Sequence, residues 1–114
     1  MLIEEFVVHY LDGELSVPVA GAVPSPMPVS FVTVERTGGS MTNQLRSATL
    51  AIQAWAGSID AAANLCADVI DIMIGILEKS EISSCVLSAS YNFTDTATKH
   101  CRYQAVFEVV HYLN

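Results

Sequence analysis

Three cysteines, Cys66, Cys85 and Cys101, and three histidines, His9, His100 and His111, are the residue types best suited to hold a metal. Thiolates and imidazoles bind structural zinc, and such ligands usually arrive in close pairs. The one close pair here is His100-Cys101, and adjacent residues of a strand point to opposite faces. The spacing therefore predicts buried thiols, surface histidines and no metal. Nucleophilic catalysis needs a nucleophile, a base and an orienting group in one place, and no Gly-x-Ser-x-Gly run or similar motif is present. Gly38-Gly39 lacks both the Gly-Lys-Ser/Thr ending and the following helix of a phosphate cradle, so it reads as a flexible loop tip. Glu4 and Glu5, like Asp68 and Asp71, fall on helix faces expected to be solvated. No catalytic residue and no cofactor are expected.

Composition narrows the remaining classes. The 114 residues are 52% hydrophobic and 15% charged, with twelve acids against five bases and a net charge of −7. A disordered tail would be poor in apolar residues. A nucleic-acid binder would cluster its bases, whereas Arg36, Arg46, Lys79, Lys99 and Arg102 are scattered. A spanning helix needs about 20 apolar residues in a row. The longest uncharged stretch, Leu15 to Val34, contains Pro18, Pro24, Pro26 and Pro28 and cannot be one. Met1 to Leu11 has no basic region and carries Glu4, Glu5 and His9, unlike a signal peptide. With no membrane segment, export signal or Cys-x-x-Cys pair, the cysteines are expected to be reduced. One domain over residues 1–114 is expected, and its surplus of apolar residues points to a protein partner.

Periodicity supplies the elements that position these residues. Ile3, Phe6, Val7 and Tyr10 recur at helical spacing, with Asp12-Gly13 as the stop. Val17 to Val23 predicts a short strand, followed by a proline-rich connector at a sheet edge. In Val29 to Arg36, Val32 and Val34 alternate with Thr33 and Glu35, and a loop from Gly38 through Arg46 is expected to end that strand. In Ser47 to Ala56, Leu50, Ile52 and Ala54 oppose Thr49, Gln53 and Trp55. Ser58 is a suitable N-cap for a main helix from Ile59 to Leu77. Its two apolar stripes, Leu65-Val69-Ile72-Ile76 and Ala63-Ala67-Ile70-Ile74, predict two neighbours that enclose it. Two more strands, Ile82 to Ala89 and Cys101 to Leu113, flank a polar loop.

The order α-β-β-β-α-β-β predicts an α+β fold: a mostly antiparallel sheet of four to five strands with two helices on one face. The other face would carry Thr33, Glu35, Thr49, Gln53, Trp55, Arg102, Gln104 and Glu108. An exposed Trp55 there would be a contact residue, because Trp, Tyr and Arg are enriched in interface hot spots; the alternative is that the strand end twists and Trp55 caps its own core.

The ordered set of Val17-Pro18-Val19, Phe31 to Gly39, Leu50 to Ala56, an Ala-rich helix, Tyr91-Asn92-Phe93-Thr94-Asp95 and Arg102 to Ala105 resembles the tail terminator (tail completion) proteins of long-tailed bacteriophages, often prophage-encoded. The resemblance covers nearly the whole chain, and one departure is Thr94, where the family pattern has a proline. It implies a non-enzymatic virion protein, assembled in the host cytoplasm, that forms a hexameric ring at the head-proximal end of the tail. Its partners would be other copies of itself, the tail-tube protein and the head–neck connector, with DNA passing through unbound. The matching interface positions are the Arg36-Thr37-Gly38-Gly39 turn, Trp55, the Tyr91-Asn92-Phe93 corner and Arg102, with Arg46 a further basic candidate. The acidic balance suits a lumen that does not grip phosphate, an expectation that fails if Arg46, Lys99 and Arg102 converge on the pore. Two other readings fit the composition: a small cytosolic ligand-binding or regulatory domain with a pocket between helix and sheet, and another head–tail connector protein.

Overall fold

The computed structural model describes residues 1–42, 45–94 and 100–113. Helix α1 (Ile3–Glu14) leads through the short strand β1 (Val19–Ala20) to the long strands β2 (Phe31–Thr42) and β3 (Leu45–Ala56). Helix α2 (Ile59–Ile74), extended by a tight turn over Gly75–Glu78, precedes β4 (Ile82–Asn92) and β5 (Cys101–His111). The five strands lie in the order β1-β2-β3-β5-β4. Among the described residues only β1 and β2 run parallel, and the other neighbouring pairs are antiparallel. The chain is thus an α+β domain in the predicted element order.

Alternation decides which face of the sheet is covered. Val32 and Val34 of β2, Leu50, Ile52 and Ala54 of β3, and Ala105, Phe107 and Val109 of β5 form one buried surface. Cys66, Val69, Met73 and Ile76 pack on it from α2, and Ile3, Val7 and Leu11 from α1. Ser58 caps α2 as expected, its Oγ accepting from the Ala61 N–H at 3.1 Å. The two helices are tied where the Tyr10 hydroxyl donates to the Ile72 carbonyl at 2.8 Å. Gly75 makes room for that hydroxyl, since a Cβ there would lie 3.0 Å from it.

Four expectations are corrected. Helix α1 does not stop at Asp12-Gly13 but runs on to Glu14, with the Leu15 N–H bonded to the Leu11 carbonyl. Gly inside a helix costs only about 1 kcal/mol, and the buried Leu11 outweighs it. The stripe of α2 that meets the sheet is Ala62-Cys66-Val69-Met73, rotated from the predicted one. Its second stripe is covered only in part: Ile70 packs against the core, whereas Ala67 is exposed and Ile74 is 59% exposed. Helix α2 is apolar nearly all round, so periodicity could not say which side faces the sheet. Gly38-Gly39 is not a loop tip, because β2 continues through it to Thr42, with a ladder irregularity between Arg36 and Gly38 that leaves Thr37 unpaired. Residues 43–44, between β2 and β3, lie outside the described residues.

The fourth correction concerns His111, which is fully buried, unlike the exposed His9 and His100. It continues the core-facing row of β5 past Val109. The Leu113 N–H donates to its Nδ1 at 3.1 Å, which places the neutral ring's hydrogen on Nε2. Among the described residues that Nε2 has no hydrogen-bond partner, and neither does the buried Oε1 of Glu4. Burial first, then the Arg36 guanidinium, holds His111 below the ordinary imidazole range; Arg46 adds to this, while Glu4 opposes it. The unfolded chain then binds the proton first, so stability present above about pH 6.5 falls as pH drops through and below that value. Urea midpoints should decrease between about pH 7.5 and about pH 5.5, and the decrease should shrink in His111→Gln. Midpoints that do not move with pH would overturn the assignment.

Candidate interaction surface

The face turned away from the helices is built from rows of side chains that run straight across the ladder. Register places Phe31, Trp55 and Arg102 in one row, and Thr33, Gln53, Gln104 and Tyr91 in the next. Glu35, Ala51, Val106 and Ala89 form a third, and Gly38, Thr49, Glu108 and Val86 a fourth. Every residue predicted for this face lies on it.

The first row is a stack. The Phe31 and Trp55 rings lie nearly parallel, 13° apart, with centroids separated by 5.2 Å. The Arg102 guanidinium sits 4.7 Å from the Trp55 centroid and 4.5 Å from that of Phe93, between the two rings. Phe93 in turn meets Tyr91 edge to face at 5.9 Å. Trp55 is far along the chain from Tyr91, Phe93 and Arg102; β5, inserted between β3 and β4, brings the four to one end of the sheet.

Hydrogen bonds fix the stack. The Trp55 Nε1–H donates to Thr33 Oγ1 at 3.2 Å. Arg102 donates from Nε to the Phe93 carbonyl at 2.7 Å and from Nη1 to Gln53 Oε1 at 3.4 Å. Gln53 Nε2 donates to Gln104 Oε1 at 2.8 Å, and Gln104 Nε2 to the Tyr91 hydroxyl. Each buried polar end in these rows is thereby satisfied, which a face with no helix over it requires as much as a core does. Thr94 secures the corner: its hydroxyl accepts from the Arg102 N–H at 3.2 Å, and its own N–H donates to Asn92 Oδ1 at 3.0 Å. Residues 95–99, Lys99 among them, lie outside the described residues.

Trp55 is therefore neither an exposed hot spot nor a cap on the core. It lies on the expected face yet is only 8% exposed, because Phe31, Thr33 and Arg102 cover it. Phe31 is buried with it. Around this stack Tyr91, Asn92 and Phe93 are accessible and Arg102 is half-buried, while Arg36, Thr37, Gly39 and Arg46 are exposed elsewhere. The Arg36-to-Gly39 segment does not join the stack. Arg36 pairs with Leu50 and Gly39 with Ala48, so both belong to the helix-side face. There the Arg36 guanidinium lies across Gly39, where a Cβ would also come within 2.7 Å of the Ser47 carbonyl. Arg46 sits opposite His111, nine positions from Trp55 along β3, hence about 30 Å away and on the other face from Arg102. Within one chain, these two basic residues do not converge.

The remaining chemistry is subdued. Burial pushes the Cys85 thiol up to about 11, and it also raises Cys66, whose contact with the Ser90 hydroxyl at 3.8 Å opposes the shift. Both are thiols at neutral pH, not thiolates. Among the described residues no group of three or more His, Cys, Asp and Glu is placed to hold a metal ion, and no helix is long and apolar enough to cross a membrane. The space between α2 and the sheet is filled by Cys66, Val69, Met73 and Phe107. One open groove of about 450 Å³ lies outside it, along α1, lined by Phe6, His9, Tyr10 and Lys79. Comparison with models of known protein families finds no match, and comparison with curated proteins finds none either.

The chain has one tryptophan, so its fluorescence reports the stack directly. Arg102→Ala should shift Trp55 emission to the red, increase acrylamide quenching and cost about 0.5–2 kcal/mol of stability. Unchanged emission and unchanged stability would mean that Arg102 does not cover the ring.

Proposed function

We propose that this chain is a structural virion protein of the tail terminator kind. Copies of it form a ring, hexameric by the family resemblance, that caps the finished tail tube, ends its polymerisation and meets the head–neck connector at the head-proximal end of the tail. The ordered motifs from Val17 to Ala105 carry this reading. The architecture supports it: a charge-poor domain whose helices cover one sheet face leaves the other face, and the sheet edges, for protein contacts. A closed ring of head-to-tail contacts needs two different patches on each subunit, and the open face and the two unlike edges can supply them. DNA passes through such a ring without being held, in keeping with a net charge of −7. Assembly takes place in the host cytoplasm. A ligand-binding module is less well supported, because side chains fill the helix–sheet space where its pocket would lie.

Electron microscopy of tails assembled without this chain tests the proposal. Overlong tubes, restored to normal length when the chain is supplied in trans, are expected. Tubes of normal length in its absence would refute it.

A further inference from the structure

The outer N–H and C=O groups of an edge strand are templates for another strand, and proteins blunt such edges with charge, proline or brevity. The two edges of this sheet are treated differently. On one side Pro18 precedes β1 and Pro24, Pro26 and Pro28 follow it, and β1 covers β2 only at Val32 and Thr33. Among the described residues, β2 has no strand on its outer side from Val34 to Thr42. On the other side β4 is eleven residues long and contains no charge, no proline and no glycine. Val86 is 58% and Leu87 40% exposed on it. Ser84 to Leu87 pairs regularly with Val110 to Phe107, between two register shifts.

The two free stretches match in level and direction. Across the sheet the partners run Gly38, Thr49, Glu108, Val86, and then Arg36, Leu50, Phe107, Leu87. The exposed pair of β4 thus stands level with the uncovered part of β2, beyond the reach of β1. Three antiparallel steps separate β2 from β4, so these strands run in opposite senses. A second copy set beside the first without a flip brings its β2 antiparallel against β4, which extends the ladder that the sheet already uses. Because β4 carries no charge, the charges at the joint are Glu35 and Arg36 of β2, one of each sign.

We infer that β4 of one copy pairs with the free Val34–Thr42 stretch of β2 in the next, joining copies head to tail into a continuous sheet. This inference deepens the ring reading and rests on it for closure. A symmetric β4–β4 pair would leave both β2 edges open, whereas head-to-tail pairing uses each edge once.

Two measurements test the joint. Sedimentation of the wild-type chain should show self-association, and Val86→Lys combined with Leu87→Lys should weaken it about tenfold or more while the thermal midpoint stays in place. Benzoylphenylalanine in place of Val86 should photo-crosslink to residues 34–42 of another copy. Adducts confined to β4 of the other copy, or none at chain concentrations up to about 1 mM, would overturn the inference. So would undiminished association of the folded double variant. If that variant also gives tails of normal length, the joint fails and the terminator reading stands; normal tubes without the chain would refute that reading instead.

Discussion

The pairing of β3 with β5 is the constraint on which the other features rest. It runs without a register shift from Arg46 opposite His111 to Ala56 opposite Cys101. Side chains alternate with a period of two, so a slip of one residue would exchange the faces. With β3 held against the helices, Phe107 and Val109 of β5 would turn away from them, and Arg102 and Gln104 would turn under them. The covered core and the open polar face are therefore two consequences of one register. Burial of the first on α1 and α2 holds the second in place.

The two faces manage their polar atoms in different ways. On the open face nearly every polar end finds a partner within the rows, and Arg102 serves both as a hydrogen-bond donor and as the layer between Trp55 and Phe93. On the helix side the last core position of β5 is a histidine, and among the described residues its Nε2 and the Oε1 of Glu4 are left without partners. That corner trades stability for a buried imidazole, which links the fold's stability to pH.

Much of this was legible along the chain. Alternation in Leu50–Ile52–Ala54 identified a core-facing row, Arg102, Gln104 and Glu108 identified the open face of β5, and Ser58 marked the start of α2. Three features were not legible. The breadth of the apolar surface on α2 hid which stripe meets the sheet. Gly38-Gly39 carries the same signal in a loop tip and in a strand where an arginine lies across the backbone. His111 ends an alternating row, and a polar residue at that place gives no sign of whether the chain folds over it. Of the candidate site, Trp55, Tyr91, Phe93 and Arg102 assemble into one cluster, while Arg36 and Arg46 belong to the other face.

Local pattern alone determined the element types, their order and the composition of each sheet face, because hydrophobic period and turn chemistry act over a few residues. Tertiary structure alone decided strand order, the burial of Trp55 and which edges stay open. Each of these depends on which distant strand comes to lie alongside. Placing β5 between β3 and β4 sets Arg102 over Trp55 and leaves β4 at the rim, and no spacing within a single strand encodes that choice.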